Sequence, residues 1–220
     1  MASPPVASGV LAQLETLDLD PARPLLVVDA DEVLVVFAAD LARFVGDLGI
    51  DMHLTQYKLE GAMTDRRTGL SVPFDETIAL IDRYFETEAA TQAPIAGAAR
   101  ALARLEALAQ IVVLTNVPAH ARAARITRLA ALGMAYPLIE NSGGKGPALA
   151  WMAERAGVPA AFVDDSPSQI ESAAADAPDI GRVHFAGTGL VADIMPACPE
   201  AHHRVADWDE AETVLRDLLC

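Results

Sequence analysis

The chain has 220 residues, 52% of them hydrophobic and 21% charged, which describes a folded protein with a sizeable core and not a disordered one. The balance of 16 Lys and Arg against 31 Asp and Glu leaves a formal net charge of -15. Such a field repels nucleic acid and anionic membrane, and it admits an anionic small substrate only where a local cation reverses it.

The opening stretch, MASPPVASGVLAQLETLDLDPARP, has no basic residue before Arg23 and so lacks the charged start of a secretory signal. No uncharged apolar run approaches the roughly 18 to 20 residues of a spanning helix. The two cysteines, Cys198 and Cys220, do not suggest a disulfide framework. A cytoplasmic protein is the expectation. VLAQLETL predicts a short helix, ended by the breaker DPARP.

LLVVDA, from Leu25, then reads as a strand without polar alternation, the pattern of a strand covered on both faces of a parallel sheet. The signature recurs at IVVLTN (111–116), AAFVDD (160–165) and, more weakly, RVHFAG (182–187). Helical patterns lie between and after these runs, at 96–108, 119–132, 147–157 and 168–177, and WDEAETVLRDLL closes the chain as a further helix. Strand alternating with helix predicts an α/β fold with an open, doubly wound parallel sheet. Residues 37–93 hold helical patterns and no convincing strand, and are too long for one crossover. They are read as an inserted helical subdomain, which leaves 1–36 and 94–220 for the core.

Ligands in such sheets sit at the carboxyl ends of the strands, near the switch point. The polar residues that interrupt the apolar runs fall there: Asp29 and Asp31, Thr115 and Asn116, and Asp164 and Asp165. Lys145, in NSGGKGPALA, is brought to the same rim by a glycine-rich turn. At about 4 Å and an effective dielectric near 20, each pair of carboxylates repels by roughly 4 kcal/mol. Either some carboxyls stay protonated or a hard divalent cation sits among them, and Mg2+ fits best because it accepts one or two carboxylates, water and a substrate phosphate. With the charge so reversed, an aspartate can attack phosphorus, and a second carboxyl two residues on can protonate the leaving oxygen and then activate water.

LLVVDADEV, VVLTN, GGKGPAL and FVDDSP resemble, in order and spacing, the four signature motifs of the haloacid dehalogenase-like hydrolases. The resemblance covers about 160 residues of core, and the helical insertion at 37–93 sits where that family carries its first type of cap. It implies a Rossmann-like core with a mobile cap, Asp29 as nucleophile and metal ligand, and Asp31 as general acid and base whose backbone carbonyl touches the metal. It further implies Thr115 and the amides after it, with Asn116, on the phosphate, Lys145 on the transferring group, and Asp164 and Asp165 on Mg2+. Three positions depart from the pattern: Glu32 stands where the family most often has Gly, Val33 where Thr is commoner, and Gln169 where many members carry a second acid.

The expected activity is Mg2+-dependent hydrolysis of a small phosphorylated metabolite. The competing readings are a 2-haloacid dehalogenase, a phosphomutase, and a catalytically silent binding domain of the same fold. Outside the motifs, His202 and His203 are expected at the surface and His184 in a strand; His120, which follows the second motif, is read as an ordinary residue, a place near the cleft being the lesser alternative. His53, Lys58, Arg66 and Arg67 read as polar surface of the insertion, and Trp151 and Trp208 as packing anchors.

Overall fold

The computed structural model describes residues 6–157, 159–187 and 189–220. In chain order it runs α1 (Ser8–Leu14), β1 (Leu25–Val28), α2 (Ala38–Asp47), β2 (Ile50–Met52), β3 (Met63–Asp65), α3 (Phe74–Glu88), α4 (Ala98–Leu105), β4 (Gln110–Thr115) and α5 (Arg122–Ala131). Then follow β5 (Leu138–Glu140), α6 (Gly146–Ala156), β6 (Ala160–Asp164), α7 (Pro167–Asp176), β7 (Gly181–Phe185), β8 (His203–Val205) and α8 (Trp208–Leu219). Six strands form one sheet in the order β5-β4-β1-β6-β7-β8, and each neighbouring pair is parallel. The chain fills one side of β1 first and then returns to the other, so the switch point lies at β1 and β6.

All four residues of β1 are buried, and they alternate between two cores. Leu26 and Val28 join Val113, Val163 and the apolar faces of α4 and α8. Leu25 and Val27 join Leu114, Phe162 and residues of α1, α6 and α7. A strand covered on both sides has no solvent face to make polar, which is why its sequence shows no alternation. Trp208 anchors this packing: it is fully buried and its indole N–H donates to Val33 O at 2.7 Å, tying α8 to the loop after β1.

The connection from β1 to β4 differs from its expectation. It holds α2 and α3, but also an antiparallel pairing of β2 with β3, in register Ile50 with Asp65 and Met52 with Met63. Three-residue strands of this kind, only partly buried, are too short to carry a periodic signal. Leu41, Phe44, Val45, Tyr84 and Phe85 give the connection an apolar cluster that also takes Val117 and Ala121 from beyond β4. The sheet is likewise longer than expected by two short strands, β5 and β8. Among the described residues no helix is long and apolar enough to cross a membrane.

Candidate active site

Side chains two apart on a strand share a face, so Asp29 continues the Leu25–Val27 row and Asp164 the row of Phe162. Parallel register between Val28 and Val163 sets those two acids side by side. The same face carries α6, and Lys145 stands immediately before that helix. Its ammonium is 2.5 Å from Asp29 Oδ1 and 2.6 Å from Asp164 Oδ2, and the lysine is only 2% exposed. Two backbone approaches make this possible. A Cβ at Gly144 would meet the Ser172 hydroxyl, and one at Gly146 would meet the Ser172 carbonyl and Asp176, so only glycines let the loop lie against α7.

Gln169 closes the loop from the other side. Its side-chain carbonyl accepts from Lys145 N at 2.9 Å, and its amide donates to Gly143 O at 3.3 Å. Asn116 donates to the same Gly143 O at 2.9 Å and accepts from Asn141 at 2.8 Å, so it braces the lysine loop. Thr115 is fully buried, and its hydroxyl has no hydrogen-bond partner among the described residues. Asp165 adds a third acid. Its Oδ2 accepts from the Tyr57 hydroxyl at 2.5 Å, and its backbone carbonyl faces His184 Nε2 at 3.0 Å, which makes His184 the Nε2–H tautomer.

Asp29, Asp164 and Asp165 are all buried, and each offers an oxygen within 4.8 Å of the others. One lysine does not balance three carboxylates. Burial, opposed by Lys145 and reinforced by Asp164 and Asp31, raises Asp29 from 3.8 to about 7. Burial and then the charges of Asp164 and Asp29 push Asp165 well above the carboxylate range. Burial alone would lower Lys145, but Asp164 and Asp29 outweigh it and hold the ammonium above its ordinary value. A buried all-oxygen donor set with surplus negative charge and raised acid pKa values is chemically suited to a hard divalent cation.

Asp31 does not join this ring. Its Oδ1 accepts from Arg125 Nη2 at 2.8 Å and from Gln92 Nε2 at 3.3 Å. Arg125 is wholly buried and lies 5.7 Å from the Phe85 ring centroid, and Gln92 also donates to Val36 O at 3.0 Å. Asp31 is thus fixed from α5 and from the segment entering α4. Glu32, one residue on, is the single described non-glycine residue with positive φ, at 58°. It is a tolerated strain because the carboxyl turns onto α2, accepting from Phe37 N at 2.8 Å and Ala38 N at 2.5 Å, two of the free amides of that helix start.

The structure therefore gathers Asp29, Lys145, Asp164 and Asp165, sets Thr115 and Asn116 at the end of the adjacent strand, and holds Asp31 at the cleft wall. Tyr57, Gln92, Arg125 and Asn141 were not singled out by sequence. The one available signal was the spacing of Arg122, Arg125 and Arg128, three residues apart and so on one helix face. His120 is exposed, with its Nδ1 3.7 Å from Asp82 of α3, and His184 is buried in β7. His53, Arg66 and Arg67 are exposed.

The sequence matches no family model and no curated protein sequence. Solved structures do match. A HAD family hydrolase from Deinococcus radiodurans, with bound phosphate and sodium, superposes with a TM-score of 0.62 at 13% identity, over 90% of this chain and 97% of that one. A conserved haloacid dehalogenase-like protein of unknown function from Agrobacterium tumefaciens gives 0.61 at 17% identity, over 89% and 99%. A protein assigned to the HAD hydrolases from Bacillus subtilis, bound to magnesium, gives 0.59 at 16% identity, over 88% and 98%. At these identities the likeness is one of fold.

Proposed function

We propose that this chain, which has the fold of the haloacid dehalogenase-like hydrolases, is a Mg2+-dependent phosphatase that cleaves a small phosphorylated metabolite through an aspartyl phosphate on Asp29. The observation that carries the reading is the buried ring of Asp29, Lys145, Asp164 and Asp165 at the sheet's switch point, with a buried Thr115 hydroxyl unpartnered beside it. The bound phosphate and the magnesium of two structural neighbours agree with it.

In this reading Lys145 occupies Asp29 Oδ1 and orients the carboxylate, so that Oδ2 is the oxygen directed at phosphorus. The Asp29 oxygen forms a bond to phosphorus while the bond from phosphorus to the alcohol oxygen breaks. Asp31 gives its proton to that oxygen, and the alcohol leaves. Water then attacks phosphorus and passes a proton to Asp31, the bond from phosphorus to Asp29 breaks, and inorganic phosphate is released. The Thr115 hydroxyl and the Lys145 ammonium donate to phosphoryl oxygens as their charge develops. Asp29, Asp164 and Asp165, with the Asp31 backbone carbonyl, would hold Mg2+, which supplies charge neutralisation at the phosphoryl group. Gln169 acts at one remove, holding the loop that carries Lys145.

Residues 37–93 serve as the cap in this account, with Tyr57 reaching from it onto Asp165 across the cleft. A cleft closed by such a contact excludes water during the first transfer. Displacement of halide from a 2-haloacid would leave Asp31 and the acidic pair without a task, so phosphate ester cleavage is the better match. The free cysteines and the net charge of -15 agree with a cytoplasmic protein that acts on a small substrate and binds neither nucleic acid nor membrane.

The test is phosphate release from an aryl phosphate with and without Mg2+, beside Asp29→Asn. The reading requires turnover that depends on the metal and is lost in the variant. Absence of release under every metal condition would return the chain to a binding role.

A further inference from the structure

The cleft beyond the carboxylates has a volume of about 510 Å³, within the range of pockets that take drug-sized ligands. Asp31 and Asp165 stand at its inner end. Outward from them the wall is apolar. Phe74, Ile78 and Ile81 form one stripe along α3, at the spacing of a single helix face, and Leu54, Val191 and Ile194 face it from the other segments. Phe74 is 59% exposed and Ile78 49% exposed, although both line the cavity. Burying apolar surface of that size is favourable, and among the described residues no protein group does it here.

The polar groups of the same wall are committed elsewhere. Tyr57 donates to Asp165, and the Thr77 hydroxyl donates to Pro73 O at 3.1 Å. The Glu32 carboxyl accepts the amides at the start of α2. Lys58, the one cation among the described lining residues, lies 3.9 Å from Glu60. A sugar or polyol would find few unengaged partners among the described lining residues, and a second anionic group would meet the Glu60 carboxylate beside the half-exposed Lys58. Hydroxyls buried without partners cost binding energy, whereas an alkyl or aryl group loses nothing.

We propose that the site selects phosphate monoesters whose alcohol part is apolar, an alkyl chain or a single aromatic ring, over phosphorylated sugars, polyols and carboxylates. This rests on the phosphatase reading for the position of the phosphoryl group and adds the identity of what it is attached to. The α3 stripe and the Val191–Ile194 wall hold the apolar part, while the carboxylate end holds the phosphate.

Ethyl, hexyl and benzyl phosphate are compared with glycerol 1-phosphate and glucose 6-phosphate, all esters of primary alcohols, with Mg2+ present. Each methylene that becomes buried is worth about fourfold, so kcat/KM for hexyl phosphate is expected to exceed that for ethyl phosphate by at least about tenfold. Both sugar and glycerol esters are expected to fall below ethyl phosphate. Ile78→Ser and Ile78→Glu, at a half-exposed position, are expected to shrink the hexyl-to-ethyl ratio at least threefold. Turnover with no dependence on chain length, or with preference for the polyol esters, overturns this inference and leaves the phosphatase reading standing. If no ester turns over, binding of hexylphosphonate against ethylphosphonate by calorimetry decides. Tighter binding of the hexyl compound that Ile78→Ser weakens upholds the apolar site while the phosphatase reading fails, and equal or absent binding overturns both.

Discussion

Thr115→Val should move stability and activity in opposite directions. The Thr115 side chain is fully buried at the end of β4, and its hydroxyl has no hydrogen-bond partner among the described residues. A buried hydroxyl left unsatisfied costs about 1–3 kcal/mol, and valine fills almost the same volume with a methyl that has no such need. Taking the lower part of that range, the substitution stabilises by about 1–2 kcal/mol, which for a chain of this size raises Tm by roughly 2–8 °C. If the hydroxyl is kept for a phosphoryl oxygen, its loss removes one donor from the developing charge, worth about 100- to 1,000-fold in kcat. Thermal denaturation followed by circular dichroism gives the first quantity, and phosphate release from an aryl phosphate gives the second. A lower Tm would show the hydroxyl already satisfied within the fold. A kcat/KM within threefold of the parent would remove Thr115 from the proposed chemistry.

Other consequences follow from the same geometry. Asp29 is raised from 3.8 to about 7 in the folded chain, so the folded state holds that proton more tightly than the unfolded one. Without divalent cations the contribution of Asp29 to stability is therefore fully present below about pH 4 and is lost as pH rises to about 7; Mg2+ should raise Tm more at pH 7.5 than at pH 5, and an equal effect at both would contradict the shared site. Glu32→Gly relieves a left-handed backbone worth about 1–2 kcal/mol but gives up two bonds onto α2, each worth about 1.5–3 kcal/mol if the carboxyl is charged. A net loss of about 1–5 kcal/mol in urea unfolding is expected, and a gain would mean that the strain dominates. Arg125→Met leaves Asp31 without its buried cation, and should cost about 2–4 kcal/mol together with a drop in kcat larger than any change in KM; unchanged kcat would separate Arg125 from the positioning of Asp31.

Much of the core was legible because β1, β4 and β6 are apolar on both faces, and a run such as LLVV that ends abruptly in acids marks the carboxyl end of a buried parallel strand. The edges were not. Strand β8 is three residues long, with His203 and Arg204 exposed, and β5 is equally short, so neither carries a period long enough to read. The pairing of β2 with β3 was hidden for the same reason. At the site, residues that follow strands announced themselves by breaking an apolar pattern. Tyr57 and Arg125 did not, since their partners Asp165 and Asp31 are 108 and 94 positions away and nothing local marks either residue. Arg125 was further disguised by its helix: an arginine face ordinarily meets solvent, but here Arg122 bonds Leu138 O, Arg125 bonds Asp31 and Arg128 bonds Gln92 O. Gln169 and Glu32 looked like departures from a pattern, and the packing gives each a task, the first on the Lys145 loop and the second on α2.

The most direct measurement is mass spectrometry of the protein quenched in acid during steady-state turnover of an aryl phosphate with Mg2+. A phosphoryl group should be found on the peptide containing Asp29, released by hydroxylamine and absent from Asp29→Asn. Rapid turnover in which the phosphoryl group is found on another side chain, or in which the Asp29→Asn protein keeps its rate, would show that the carboxylate held by Lys145 is not the group that attacks phosphorus.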